Sequence, residues 1–197
     1  PMGDAVPPLD WGQYGDLQLG DYAKARKWID RLESMAFEGG FLEGGPRGKS
    51  GQVRASNTVP LVKARYIVET EEWEVRSITD KSSMHELLAT GMSAAHTGDD
   101  ATVAEAEAAL KAMAEGGNRN ADIMAKEVGA LLHAGMGHGD VATGLMYDAQ
   151  AIVDELWSRR SRWDDFGVFT DLISSYNPNE GRLPGLLQAH LAQNMLQ

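Results

Sequence analysis

Apolar residues recur at helical spacing in several separate stretches of the chain. The clearest stretch begins at Tyr22 and continues with Ala25, Ile29, Leu32 and Ala36, three or four residues apart. This spacing places the side chains on one stripe of an α-helix. Two further stripes consist of Val103, Ala106, Leu110 and Met113, and of Leu145, Ala149, Ile152, Val153 and Leu156. Because no segment alternates as a strand does, the sequence predicts an all-α fold.

A Gly-Asp pair precedes each of the three stripes. The pairs are Gly20-Asp21, Gly98-Asp99 and Gly139-Asp140. Glycine can adopt the left-handed conformation that ends one helix, and aspartate can accept hydrogen bonds from the first amides of the next. Further helical stretches precede the pairs at about Leu9–Leu19, Met84–His96 and Ile123–Gly137. The pattern therefore predicts a repeat of helical hairpins, with turns at Gly20, Gly98 and Gly139.

The remaining segments complete the predicted organisation. A helix is predicted from Val59 to Val68, with Pro60 in its first turn. The glycine-rich segment 38–57 is predicted to be one long surface loop, since glycine disfavours a helix interior. Two last helices are predicted at about Asp165–Tyr176 and Leu183–Met195. We interpret residues 1–8 as an irregular lead-in and residues 9–197 as a single domain.

Several short motifs suggest a family. The Leu-Gly-Asp-Tyr-Ala-Lys-Ala segment at 19–25 resembles the turn between the two helices of a tetratricopeptide repeat, with Tyr22 after the Gly-Asp step and Ala25 at the small, close-packed position. The order of the other motifs is similar to the C-terminal half of a longer bacterial tetratricopeptide protein. These motifs are Leu9-Asp10-Trp11, Ala64-Arg65-Tyr66, Trp73, and Asn177-Pro178-Asn179 before an Ala-containing helix. The resemblance implies a right-handed array of antiparallel helical hairpins without catalytic residues or a cofactor.

Composition narrows the classes of partner. The chain has 29 acidic and 18 basic residues, a formal net charge of −11. This charge disfavours nucleic acids and is compatible with a protein or peptide partner, a basic one included. No stretch approaches the length of a membrane-spanning helix, so no membrane insertion is predicted. We expect a soluble bacterial protein of the cytoplasm or periplasm. Compartment and oligomeric state stay open, since an N-terminal targeting segment could be missing from this chain.

One cluster offers candidate metal chemistry. His133 and His138 lie five residues apart and close to Asp140. Two imidazoles and a carboxylate can bind a divalent transition metal. However, a spacing of five that crosses a glycine-rich turn does not put both rings on one helix face. Histidines of a surface turn are the favoured interpretation, and a small-molecule or metal-dependent enzyme domain is the alternative function.

Three aromatic residues are candidates for contact with a ligand. Trp28 lies one position off the stripe that begins at Tyr22, and Tyr66 and Trp73 belong to the motifs that carry the resemblance. Such side chains either pack between hairpins or face a ligand surface. With the predicted array, they lead to the expectation of a scaffold that binds a protein or peptide.

Overall fold

Helices are the only regular structure in the part of the chain that the computed structural model describes, residues 6–38 and 46–158. The all-α prediction is confirmed for these residues. The chain divides into two compact units, residues 1–72 and 73–197. None of the described helices is long and apolar enough to cross a membrane. The two helices predicted after residue 159, and the Asn177-Pro178-Asn179 motif, lie outside the described residues.

Unit 1 contains three helices that pack on one another. They are α1 (Val6–Gln18), α2 (Tyr22–Glu33) and α3 (Pro46–Thr70), and a π-helical turn, Ser34–Glu38, continues α2. Each of the three helices contacts both of the others. Their shared core consists of Val6, Leu9, Leu17, Ala25, Ile29, Leu32, Met35, Ala36, Ala55, Val59, Val62 and Tyr66. The stripe predicted from the spacing of α2 therefore faces this core, whereas Tyr22 at its start is exposed.

The turn between α1 and α2 has the predicted chemistry. Gly20 adopts a left-handed φ of +74°, and the Asp21 carboxylate accepts a hydrogen bond from the backbone amide of Lys24 at 3.1 Å. Ala25, at the position expected to be small, is fully buried. The two helices also approach closely at Gly12, where an added Cβ would lie 2.8 Å from Cε2 of Trp28.

Three predictions for unit 1 were wrong in their boundaries. α1 begins at Val6, inside the irregular lead-in predicted for residues 1–8, since prolines fit a first helical turn. The loop predicted for 38–57 is helical from Pro46 onward, and Pro60 lies inside α3. Tertiary packing outweighs the low helix propensity there: Ala55 is buried, and the Gln52 side chain donates to the backbone oxygen of Ala36 at 3.0 Å.

The described part of unit 2, residues 73–158, consists of an irregular segment, residues 73–83, followed by four helices. The helices are α4 (Met84–Thr97), α5 (Asp100–Glu115), α6 (Arg119–Gly135) and α7 (Gly139–Ser158). Each helix packs on the next one, and α4 also packs on α6. Ser83 starts α4 with a reciprocal capping box, in which Glu86 accepts from the Ser83 amide at 2.8 Å.

A glycine with left-handed backbone lies in each of the three connections between α4, α5, α6 and α7. Gly98, Gly117 and Gly137 have φ values of +76°, +92° and +78° and are 19 and 20 residues apart. Asp99 follows the first and accepts from the amide of Thr102; Asn118 follows the second and accepts from the amides of Asn120 and Ala121. The short connections make neighbouring helices antiparallel, as in helical hairpins.

The third predicted turn was placed two residues too late. Gly139 is the first residue of α7 and Asp140 lies in its first turn, whereas Gly137 has the left-handed conformation. His138 takes the position before the helix, and its carbonyl accepts from the Ala142 amide at 3.1 Å. The prediction placed the turn at the Gly-Asp pair. In the structure, the left-handed glycine after α6 is Gly137, which lies two residues before that pair.

Three helices of unit 2 meet at Gly91. A Cβ added there would lie 2.8 Å from Cγ1 of Val128 in α6 and 3.1 Å from Cβ of Ala106 in α5. Distances this short leave no room for a side chain on α4 at this point. Gly91 therefore allows α4 to approach α5 and α6 at the same time, and Ala106 and Val128 are fully buried in the contact.

Candidate functional site

Two of the predicted ligand-facing aromatics pack inside unit 1. Trp28 is half-buried between α1 and α2, and its indole nitrogen donates to Oδ2 of Asp16 at 2.6 Å. Lys24 also donates to Asp16, at 2.7 Å, and these two hydrogen bonds hold the pKa of the Asp16 carboxyl below its ordinary value. Trp28 thus packs on α1 within its own hairpin.

Tyr66 is buried in the core of unit 1. Its hydroxyl lies 3.3 Å from Oε1 of Glu72, and the Arg26 guanidinium lies over its ring, 5.4 Å from the centroid. Burial, followed by the negative charge of Glu72, raises the pKa of the Tyr66 hydroxyl. The side chain stabilises the C-terminal part of α3 and offers little surface to a ligand.

Trp73 belongs to unit 2 and lies against α4. Its ring is stacked on that of His96, with centroids 3.9 Å apart and an angle of 8° between the planes. Next to it, the amide of Glu74 donates to the Ser93 hydroxyl at 3.0 Å. These contacts hold the start of the irregular segment on α4, and Trp73 remains half-buried.

The structure brings His133 and His138 together at the turn between α6 and α7. Their Nδ1 atoms are 3.5 Å apart, and the ring planes are tilted by 41°. Asp140, the third predicted member, is exposed in the first turn of α7. No group of three histidine, aspartate or glutamate side chains placed to hold a metal ion occurs within residues 6–38 and 46–158. The three-ligand site that the sequence offered is therefore reduced to a pair of imidazoles.

A buried polar network in unit 1 was not predicted from the sequence. The Arg65 guanidinium donates to Oδ1 of Asp10 at 2.7 Å and to Oε1 of Gln13 at 2.9 Å. Gln13 in turn donates to the Val62 carbonyl at 2.6 Å, and the guanidinium lies 5.8 Å from the centroid of the Tyr14 ring. Asp10, Gln13 and Arg65 are all at least 99 % buried. The network joins α1 to α3 through a charge-assisted hydrogen bond inside the core.

The same network connects two of the motifs that carry the family resemblance. Asp10 is the centre of the Leu-Asp-Trp motif and Arg65 the centre of the Ala-Arg-Tyr motif, 55 residues later in the chain. In each motif a charged residue stands among apolar ones on a helix, which is the available sequence signal for a buried charge. The partner of each charge could not be identified before the helices were placed.

Glu127 is a second buried charge that sequence reasoning missed. It lies on α6, where all residues from Ile123 to Ala130 except Lys126 are buried. Its Oε1 has no hydrogen-bond partner among the described residues, and burial raises the pKa of its carboxyl to about 8. The side chain is therefore mostly protonated at neutral pH, which avoids burial of an unpaired negative charge.

The outward side of α7 combines exposed apolar and acidic side chains. Tyr147 is 60 % and Val141 48 % exposed, and Asp140, Asp148 and Asp154 are exposed on the same helix. The opposite side of α7 packs on α6 through Ala142, Met146, Ala149, Ile152 and Val153. We call the exposed residues Asp140, Val141, Tyr147, Asp148 and Asp154 the α7 face.

Comparison of the chain with models of known protein families, with curated proteins and with solved structures finds no match. Within residues 6–38 and 46–158, the observations define an all-helical protein in which the helices of unit 2 pack consecutively as hairpins.

We expect Asp10→Asn to destabilise the protein by about 3–5 kcal/mol, because it leaves the Arg65 charge buried without its counterion. The measurement is urea unfolding followed by circular dichroism. The matched control is Asp30→Asn, which removes the exposed pair with Arg26 at 3.9 Å and should cause no measurable change. Equal stabilities of the two variants would show that the Asp10–Arg65 pair does not stabilise the core.

A second prediction concerns the pH dependence of stability. The Glu127 carboxyl holds its proton to about pH 8 in the folded chain and loses it near pH 4.5 when unfolded. Its stabilising contribution is complete below about pH 4.5 and is lost as the pH rises towards 8, by about 1.4 kcal/mol per pH unit. The Glu127→Gln variant lacks this pH dependence. The stability of the variant relative to the wild type should therefore increase as the pH rises from about 4.5 to about 8.

The measurement is urea unfolding of both proteins at several pH values between 5 and 9. Glu105→Gln, an exposed position on α5, is the control, and its difference from the wild type should stay constant with pH. A Glu127→Gln difference that is equally constant would contradict the protonated, buried state of Glu127.

Proposed function

We propose that the chain is a non-catalytic scaffold of the tetratricopeptide type that binds a basic protein or peptide segment on the α7 face. The packing of unit 2 supports the scaffold part of the proposal. Its helices form two consecutive hairpins, α4 with α5 and α6 with α7, and the first helices of the two hairpins also pack on each other. Stacked hairpins of a right-handed repeat array bury their apolar sides in this way and leave extended surfaces free for a partner.

The observation that carries the proposal is the composition of α7. This helix has 20 residues, four of them acidic, and no lysine or arginine. Glu155 is paired with Arg119 of α6, whereas Asp140, Asp148 and Asp154 are exposed on the α7 face. Three carboxylates without a basic neighbour on their own helix form a local negative field that favours a cationic partner.

The apolar members of the α7 face add contact area to this field. Tyr147 lies directly before Asp148 on the helix, and Val141 is next to Asp140. An exposed tyrosine supplies a large and rigid contact with a polar end, which suits a peptide that alternates basic and apolar residues. The net charge of −11 increases the association rate of such a basic peptide through long-range electrostatic attraction.

The alternative function, a small-molecule or metal-dependent enzyme domain, depends on His133 and His138. The described residues place no third histidine or carboxylate with this pair, so it lacks the ligand set of a catalytic metal centre. We therefore favour the scaffold over the enzyme.

The test measures the fluorescence anisotropy of a labelled peptide of alternating lysine and leucine, with a glutamate–leucine peptide for comparison. We expect the full chain to bind the basic probe, with an affinity that falls as salt is added, and not to bind the acidic one. Asp148→Asn combined with Asp154→Asn should weaken binding by about tenfold or more, and Tyr147→Ala should weaken it further.

The matched control is Glu105→Gln combined with Glu115→Gln, which removes the same charge from exposed positions on α5. Binding by this variant should stay within about twofold of the wild type. Equal weakening in both double variants would assign the attraction to the net charge of the chain and not to the α7 face. Absence of binding to the basic probe would contradict the proposal as a whole.

A further inference from the structure

His133, in the last turn of α6, and His138, in the connection to α7, are held by a hydrogen-bonded turn. The amide of His138 donates to the carbonyl of His133 at 2.8 Å, and the amide of Gly137 donates to the carbonyl of Ala134 at 3.0 Å. With Gly137 at φ +78°, this pair of hydrogen bonds is the one that commonly closes a helix with a left-handed glycine. The backbone of both histidines is therefore fixed by the fold.

The separation of the two Nδ1 atoms is close to that of two ligands of one metal ion. Imidazole nitrogens bind zinc at about 2.0–2.1 Å, so two of them at the tetrahedral angle are about 3.3 Å apart. The Nδ1 atoms of His133 and His138 are separated by 3.5 Å. An ion between the two nitrogens needs only a small adjustment of the rings, because the turn already brings them together.

The surroundings leave this position accessible to water, and one carboxylate approaches the neighbouring end of α6. His138 is exposed and His133 half-buried, so water can occupy the remaining coordination positions. The Asp100 carboxylate of α5 lies 3.9 Å from where a Cβ on Gly135 would stand, two residues from His133. A nearby carboxylate that is not itself a ligand favours the bound cation electrostatically.

We infer that His133 and His138 form a two-histidine site for a divalent ion of the late first transition row, such as Zn²⁺ or Cu²⁺. Imidazole is a ligand that both ions accept, and Cu²⁺ has the highest affinity for nitrogen sites in the row. The site goes beyond the proposed peptide binding and involves no residue of the α7 face, so either proposal can fail without the other. With only two protein ligands, the ion retains water in its other positions.

The test is isothermal titration of the metal-free full chain with zinc sulfate and, separately, copper chloride at neutral pH. We expect one ion per chain, and at least about tenfold weaker binding after His133→Ala or His138→Ala. His96→Ala, which removes another exposed histidine, should bind as the wild type does.

A second measurement separates loss of ligands from loss of structure. Zinc should raise the unfolding temperature of the wild type and of His96→Ala, because only the folded turn holds both nitrogens at this spacing. Zinc should leave the unfolding temperature of His138→Ala unchanged. Because His138 is exposed, this substitution should preserve the fold, so the missing effect of zinc reports the loss of a ligand. Binding that survives both histidine substitutions, or no stoichiometric binding to the wild type, would overturn the inference.

Discussion

The close contact of three helices at Gly91 is the constraint on which the packing of unit 2 depends. Because no side chain fits between α4 and its neighbours there, Ala106 of α5 and Val128 of α6 can both reach the backbone of α4. Contact at such short range fixes the position of two consecutive helices relative to a third. The turns then have to be short, and Gly98 and Gly117 provide them through their left-handed backbone. Gly91 at the helix crossing and the glycines at the turns thus act together to allow the close packing of these helices.

Buried charges mark the places where packing alone does not explain the sequence. In unit 1, Arg65 is satisfied by Asp10 and Gln13, and the resulting network orients α1 on α3. In unit 2, Glu127 has no such partner at Oε1 and keeps its proton instead. The two cases show the two ways in which a core accepts an ionisable group, by pairing it or by neutralising it. Both are features of the cores, whereas the proposed binding sites lie on the surface.

Local sequence patterns predicted which segments are helical more accurately than the residues at which each helix begins and ends. The apolar spacing of α2 and the Gly20-Asp21 turn follow from residues within one or two helical turns of each other, and the structure confirms both. The turn at Gly117 was missed because asparagine, not aspartate, follows its glycine. The start of α3 was missed because burial of Ala55 overrides local propensity, and such burial depends on residues distant in the sequence.

The candidate sites divide in the same way. The spacing of His133 and His138 was visible in the sequence, but whether their rings meet depends on which glycine of the turn is left-handed, and that glycine is Gly137. The acidic residues of α7 were visible too, but only the packing of Met146 and Ile152 on the other side shows which of them are exposed. Pairings such as Asp10 with Arg65 need the tertiary structure, since no local rule relates residues 55 positions apart.

The contact at Gly91 is tested most directly by a double-mutant cycle with Val128, followed by urea unfolding. Gly91→Ala should destabilise the wild type by about 1–3 kcal/mol, because a stiff, branched valine cannot move away from the new methyl group. The same substitution should cost clearly less in a Val128→Ala background, where the atoms nearest to that methyl group are missing. Additive effects of the two substitutions would contradict the close packing of α4 on α6.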